Sequence, residues 1–138
     1  MNSTVNIEDG QILIAKKVFG WEYKEDELIR EDSEGIKRVN HVKYFMLESV
    51  VADDDTSYRT VLELQDFDIH NRREWWNMSL YNQDPIFDRL YNIGMMEKFE
   101  DKLMKDYEIF NHISITQFLL SITTIDLFTY LVDFLQEI

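Results

Sequence analysis

Apolar positions along this chain follow two periods, one near 3.6 residues and one of 2, and together they predict an α+β fold. Ile7, Ile14, Ala15 and Val18 share a helical stripe between Ile7 and Phe19. Asn6 stands where an N-cap belongs, with Asp9 three residues on. Gly20 is placed to end the helix, because glycine enters the left-handed region without strain. Trp21 and Tyr23 then alternate with charged residues, as a short strand would. Glu25 to Gly35 surrounds one Leu-Ile pair with acids and reads as a hydrophilic link. Lys37 to Val51 fits both periods, and its β-branched and aromatic content favours a strand. Asp53 to Ser57 is predicted as a turn, with Tyr58 to Phe67 returning antiparallel to complete a hairpin.

The second half reads as helices. Asp84 is expected to cap one of them, with Pro85 at its first position and Asp88 at its positive end. Ile86, Leu90, Tyr91 and Ile93 mark its predicted buried side, and Gly94 either ends it or is tolerated inside it. Met95 to Tyr107 continues as helix through Phe99 and Leu103. Ile109 to Ile122 fits a strand or a short helix equally. After Thr123 or Thr124 as cap, Ile125, Phe128, Leu131, Val132 and Leu135 predict a last helix with one core-facing stripe. The pattern leaves open whether that aromatic-rich helix is internal or forms a homodimer contact. No repeat or linker divides the chain, so residues 1–138 read as a single α+β domain: a small antiparallel sheet flanked by helices.

Charge changes the picture most. The 138 residues carry 27 Asp and Glu against 14 Lys and Arg, a formal net charge of −13. A hydrophobic fraction of 45% and an aromatic fraction of 14% exclude an acidic disordered tail, so the charge coats a folded body. Such a coat repels nucleic acid and anionic membranes and attracts a basic protein. The absence of cysteine excludes thiol catalysis, disulfides and cysteine-ligated zinc. With no signal peptide or membrane span in the pattern, a cytoplasmic protein is expected.

The candidate chemistry is sparse. Asp66, Asp68 and His70 alternate, and on a strand they would share a face able to hold a divalent metal. The same alternation describes a solvated strand face, and no second histidine stands at ligand spacing. Asp53-Asp54-Asp55 lacks the glycine and distal glutamate of a calcium loop. Arg72-Arg73 beside Trp75-Trp76 combines the residue types that bind phosphate and stack on bases. The bland alternative is a tryptophan core anchor, with arginines paired to Glu74 and Asp68. No catalytic motif stands out, so no enzyme, metal or cofactor is expected.

Ile14-Ala15-Lys16-Lys17-Val18-Phe19-Gly20-Trp21, the stretch from Trp76 through Ser79 to Leu90, and Ile125 to Leu135 carry a resemblance. In these the chain resembles small phage-encoded proteins of the ABA-sandwich type: an opening helix ending in Gly-Trp, a Trp/Ser element before a second helix, and a closing helix. The resemblance implies an α+β sandwich of phage origin and assigns no activity. With the charge, it leads to an expected stoichiometric inhibitor of anti-CRISPR or anti-restriction type. Its carboxylates would take the places of phosphates against a basic nuclease or other nucleic-acid-binding effector. Glu25, Asp26, Glu27, Glu31, Asp32, Glu34, Asp53, Asp54 and Asp55 are the candidate partner-binding residues, with Tyr23 or Tyr58 as apolar anchors. An immunity protein against a nuclease toxin has the same charge signature. A nucleotide-sequestering protein would instead use Arg59, Arg72, Arg73 and Arg89.

Overall fold

Asn6 opens the first helix as expected: its side chain accepts from Glu8 N at 2.9 Å, and α1 runs Ile7–Ile14. The helix widens into a π turn over Ala15–Phe19, and Gly20 closes it at φ +72°. Ile14, Ala15 and Val18 are buried, while Ile7 is exposed and leaves the predicted stripe. The computed structural model describes residues 6–50, 57–106 and 115–138.

Three antiparallel strands follow in the order β1-β2-β3: β1 is Glu22–Glu31, β2 is Lys37–Val50 and β3 is Ser57–Glu63. The strand reading of residues 37–51 therefore holds through Val50. The hydrophilic link does not, because most of it is β1, paired residue for residue with β2 from Glu22↔Met46 to Glu31↔Lys37. Its side chains are polar because that part of the ribbon is solvated on both faces, so a strand there carries no alternation. Gly35 N donates to Asp32 O at 3.0 Å, and Gly35 takes φ +77°: a type I turn closed by a left-handed glycine. The predicted turn at Asp53–Ser57 lies outside the described residues apart from Ser57, which opens β3. The returning strand stops at Glu63, short of Phe67, because Leu64–Asp66 coils into a 3₁₀ turn.

The helices are α2 (Glu74–Asn77), α3 (Ile86–Asn92), α4 (Met96–Asp106), α5 (Ile115–Ser121) and α6 (Thr124–Glu137). Pro85, rather than Asp84, occupies the cap position of α3, with extended backbone and no side-chain capping bond. Tyr91, expected inside, is 75% exposed, and Ile93 is also exposed. Tyr91 sits about 100° round the helix from Leu90, and Ile93 lies past the helix end at Asn92, before the turn at Gly94 (φ +77°), so neither continues the face of Ile86 and Leu90. Of the ambiguous segment, Ile115–Ser121 is helical, with Leu119 and Ile122 buried at helical spacing; residues 109–114 lie outside the described residues. Thr123 caps α6, its hydroxyl accepting from Asp126 N at 3.3 Å. Leu127 and Phe134 join Phe128, Leu131, Val132 and Leu135 on the buried face, whereas Ile125 is exposed. That face is spent inside the chain.

Phe45, Leu47 and Leu62 share one face of the sheet and are buried with the helices. Their neighbours Tyr44, Met46 and Val61, on the other face, are partly to largely exposed. The described residues thus build an α+β fold, a helical layer against one face of a three-stranded antiparallel sheet. Aromatic rings join the layers, since Phe67 meets Phe19, Trp21, Phe45 and Trp75 with centroids 4.9–5.8 Å apart. Trp75 and Trp76 are both core residues, and their indole N–H groups donate to Asp68 Oδ1 and Ile69 O.

Candidate functional site: the projecting hairpin

β3 pairs with β2 only from Tyr44 to Val50, so β1 and β2 continue beyond it as a two-stranded ribbon. Six of the nine candidate partner-binding residues lie there, and all six are exposed: Glu25, Asp26, Glu27, Glu31, Asp32 and Glu34. Asp53, Asp54 and Asp55 lie outside the described residues. Alternation divides the ribbon's acids. Tyr23, Glu25, Glu27, Ile29 and Glu31 project on the face that carries Phe45 at its base, whereas Glu22, Lys24, Asp26, Leu28 and Arg30 project on the other. In the first row Glu25 and Glu27 stand about 6.6 Å apart along the strand, and Glu31 follows about 13 Å beyond Glu27 with Ile29 between them.

The opposing strand carries Lys and His side chains in register. Glu25 stands opposite Lys43, Glu27 opposite His41 and Glu31 opposite Lys37, with His41 Nδ1 3.6 Å from Glu27 Oε1. Lys43 Nζ also meets Glu8 Oε1 at 3.0 Å, and this hydrogen bond holds the ammonium above the usual lysine range. From Glu22 to Lys43 seven acids face five Lys and Arg, so the ribbon is close to balance. The surplus is concentrated elsewhere, as residues 48–68 carry seven acids and a single basic residue, Arg59.

Two tyrosines tie the base of the ribbon. Tyr23 packs its ring on Phe45 (5.6 Å) and donates its hydroxyl to Glu25 at 3.1 Å. Burial first, and then the Glu25 carboxylate, push its phenol up to about 12. Tyr44 donates to Asp26 on the other face, which also raises its phenol. The side chain of Tyr58 lies outside those described. Asp32 is committed to its own turn, where Oδ1 accepts from Glu34 N (2.9 Å) and Ile36 N (3.0 Å).

The remaining sequence candidates take structural posts. Asp66 lies in the 3₁₀ turn, while Asp68 and His70 follow in irregular backbone, so the three do not share a strand face. Arg72 pairs with Glu74 at 3.4 Å, as its neighbourhood suggested. Among the described residues Arg73 pairs with no acid: its guanidinium reaches Leu119 O (2.9 Å), Ile122 O and Thr124 Oγ1 (3.2 Å), closing the end of α5. Burial lowers its proton affinity. Arg89 lines a cleft of about 330 Å³ beside Trp21 and Met46, but it spends its N–H groups on Val18 O and Phe19 O at 3.3 Å. Lys17 does the same for Leu135 O at 2.9 Å. Three cations therefore satisfy carbonyls at helix C-termini, which would otherwise lack partners.

Arg73→Ala should cost about 2 kcal/mol in urea denaturation, because charge-assisted bonds to part-buried carbonyls are lost together. Arg73→Lys should recover less than half of that, since one ammonium cannot span three acceptors. A loss under about 0.5 kcal/mol for Arg73→Ala would show that water replaces the cap.

Among the described residues no three His, Asp or Glu side chains gather as a metal site, and no helix is long and apolar enough to cross a membrane. No family model matches the chain, and no curated protein or solved structure matches it.

Proposed function

We propose that this chain is a non-enzymatic inhibitor that binds a basic, nucleic-acid-processing protein stoichiometrically. A host defence nuclease is the target class, of the kind that anti-CRISPR and anti-restriction proteins meet. The observation that carries this reading is the exposed carboxylate row of Glu25, Glu27 and Glu31 on a projecting ribbon, in a chain of net charge −13. Lysines and arginines that grip a phosphate backbone accept carboxylates in the same geometry, each charge-assisted bond being stronger than a neutral one. The wider negative field, strongest over residues 48–68, steers the encounter. Such steering lifts association to about 10⁸–10⁹ M⁻¹s⁻¹ at low salt. Ile29 and its cross-strand partner Val39, on the same face as that row, supply the apolar contact that charge alone does not.

Capture from host cytosol at low and high salt, followed by titration of the retained nuclease against its nucleic-acid substrate, tests this reading. Inhibition should saturate at a fixed stoichiometry and be relieved by excess nucleic acid. Replacing Glu25, Glu27 and Glu31 together by lysine should weaken binding by two orders of magnitude or more, about 2.7 kcal/mol. Replacing Asp53, Asp54 and Asp55 should chiefly slow association and flatten its salt dependence. Equal affinity for the parent and both variants would exclude a carboxylate-based mechanism.

A further inference from the structure

We propose that β1 is a homodimerisation edge, pairing antiparallel with β1 of a second copy. This goes beyond the inhibitor reading and does not depend on it. Among the described residues β1 has β2 as its one strand partner, so the strand's other side presents a row of backbone N–H and C=O groups ten residues long. No proline or bulge interrupts it, since its pairing with β2 is continuous from Glu22 to Glu31. Proline and bulges are two of the devices with which protein edges block pairing; a third, charge, is abundant in β1 and leaves the choice of partner and register to how the charges match. The ribbon is also short of support. A two-stranded hairpin is marginal in water, and this one extends past β3 with Leu28 at 44%, Ile29 at 65% and Val39 at 51% exposure. A second copy along β1 turns it into four strands.

The order of charges names the occupant. A two-fold axis perpendicular to the sheet keeps like faces together, so each residue of β1 must oppose a residue of its own face. With Leu28 opposite Leu28 on the axis, Asp26 meets Arg30 of the second copy and Arg30 meets its Asp26. Lys24 meets the Asp32 turn. On the other face Glu27 meets Ile29, and Glu25 meets Glu31 with Lys43 and Lys37 of β2 directly beside them. Shifting the register one way opposes Lys24 to Arg30 and Glu27 to itself. Shifting it the other way opposes Glu27 to Glu31 and Asp26 to Asp32. The Leu28 register joins Asp26 to Arg30 twice and confines like charge to the Glu25–Glu31 pairs, which Lys43 and Lys37 flank, whereas either shift brings like charges together on both faces.

The full chain contains no cysteine, which makes the register directly testable. Leu28→Cys places two thiols across the axis, where directly opposed Cα atoms lie about 4.5–5.5 Å apart, within disulfide reach. Mild oxidation should convert most of this variant to a covalent dimer. Val61→Cys, exposed on the opposite edge strand, should remain monomeric under the same conditions. Failure of Leu28→Cys to crosslink, or equal crosslinking by both variants, overturns the proposal. Sedimentation velocity on the cysteine-free chain between about 1 and 100 µM should show a monomer–dimer equilibrium. Asp26→Arg and Arg30→Asp should each weaken it at least about fivefold. The double variant, which restores opposite charges across the axis, should return to within about threefold of the parent. A parent that is monomeric throughout, or a double variant no better than the singles, rejects this interface.

Discussion

Phe67→Ala should lower unfolding free energy by about 4 kcal/mol. Phe67 is fully buried where α1, the sheet and α2 meet. Its ring stands edge-on to Phe19, Phe45 and Trp75 at interplanar angles of 82°, 76° and 82°, and close to Trp21 at 5.0 Å. Truncation removes the buried ring and four aromatic contacts at once. The surrounding groups, themselves large rings, cannot collapse into the gap. The backbone holds the position as firmly as the packing does, because the buried Gln11 amide donates to Phe67 O at 2.5 Å and to Leu64 O at 3.4 Å. These bonds satisfy the end of the 3₁₀ turn and aim Phe67 inward. Thermal unfolding should therefore fall by roughly 12–15 °C. Phe67→Leu, which keeps most of the volume, should cost only about 1–1.5 kcal/mol. Circular dichroism and tryptophan fluorescence read the transition together, since Trp21 and Trp75 border the site. A loss below about 1.5 kcal/mol for Phe67→Ala would mean that the cluster repacks and that this ring is not its keystone.

What could be read in the chain beforehand were features whose cause is local. Asn6, Gly20 and Thr123 mark helix ends because each acts on backbone groups within a few residues, and the structure places them accordingly. The strand at Lys37–Val50 was legible from its β-branched and aromatic content. Of β1 only the start was, where Trp21 and Tyr23 alternate with charged residues, since the rule that exposes strands is a contrast between a wet face and a dry one. Beyond Tyr23 this strand has no dry face, and its one apolar pair, Leu28-Ile29, points to opposite sides. The signal that could have found it is the turn: Asp32-Ser33-Glu34-Gly35 places Asp first and Gly last, as a type I turn prefers.

Residue roles set by distant contacts were invisible in the same way. Nothing adjacent to Arg73 or Arg89 shows that they close helices 46 and 71 residues away. The cross-strand lysines and histidine are another instance. Glu25, Glu27 and Glu31 read as an uncompensated run along the chain, yet the hairpin folds Lys43, His41 and Lys37 back against them. The candidate surface was legible in composition and exposure, and its charge balance depended on topology.

Gly10→Val should destabilise the fold by about 3 kcal/mol, for a reason that likewise spans the whole chain. Gly10 is buried mid-way along α1, and its backbone is helical, so conformational freedom does not explain the glycine. Close approach does. A Cβ built at this position falls 2.5 Å from Phe128 Cζ and 3.0 Å from Val132 Cγ2, both on α6. These are among the least yielding atoms of the core, because Phe128 and Val132 are each 1% exposed and the Phe128 ring is backed by His70 at 5.8 Å. Admitting even one methyl must push α6 away from α1. Alanine recovers about 1 kcal/mol through its better helix propensity, so Gly10→Ala should cost about 1 kcal/mol net. Valine adds two methyls and stiffens χ1, with no such offset, and its midpoint should fall by about 10 °C. A double-mutant cycle separates crowding from any other effect. Combining Gly10→Ala with Phe128→Leu should cost less than the sum of the two single changes, by about 1 kcal/mol, because the shorter side chain vacates the space that the methyl enters. Strict additivity would mean that the two helices are free to part, and that the sixth helix is not held by its contact with the first.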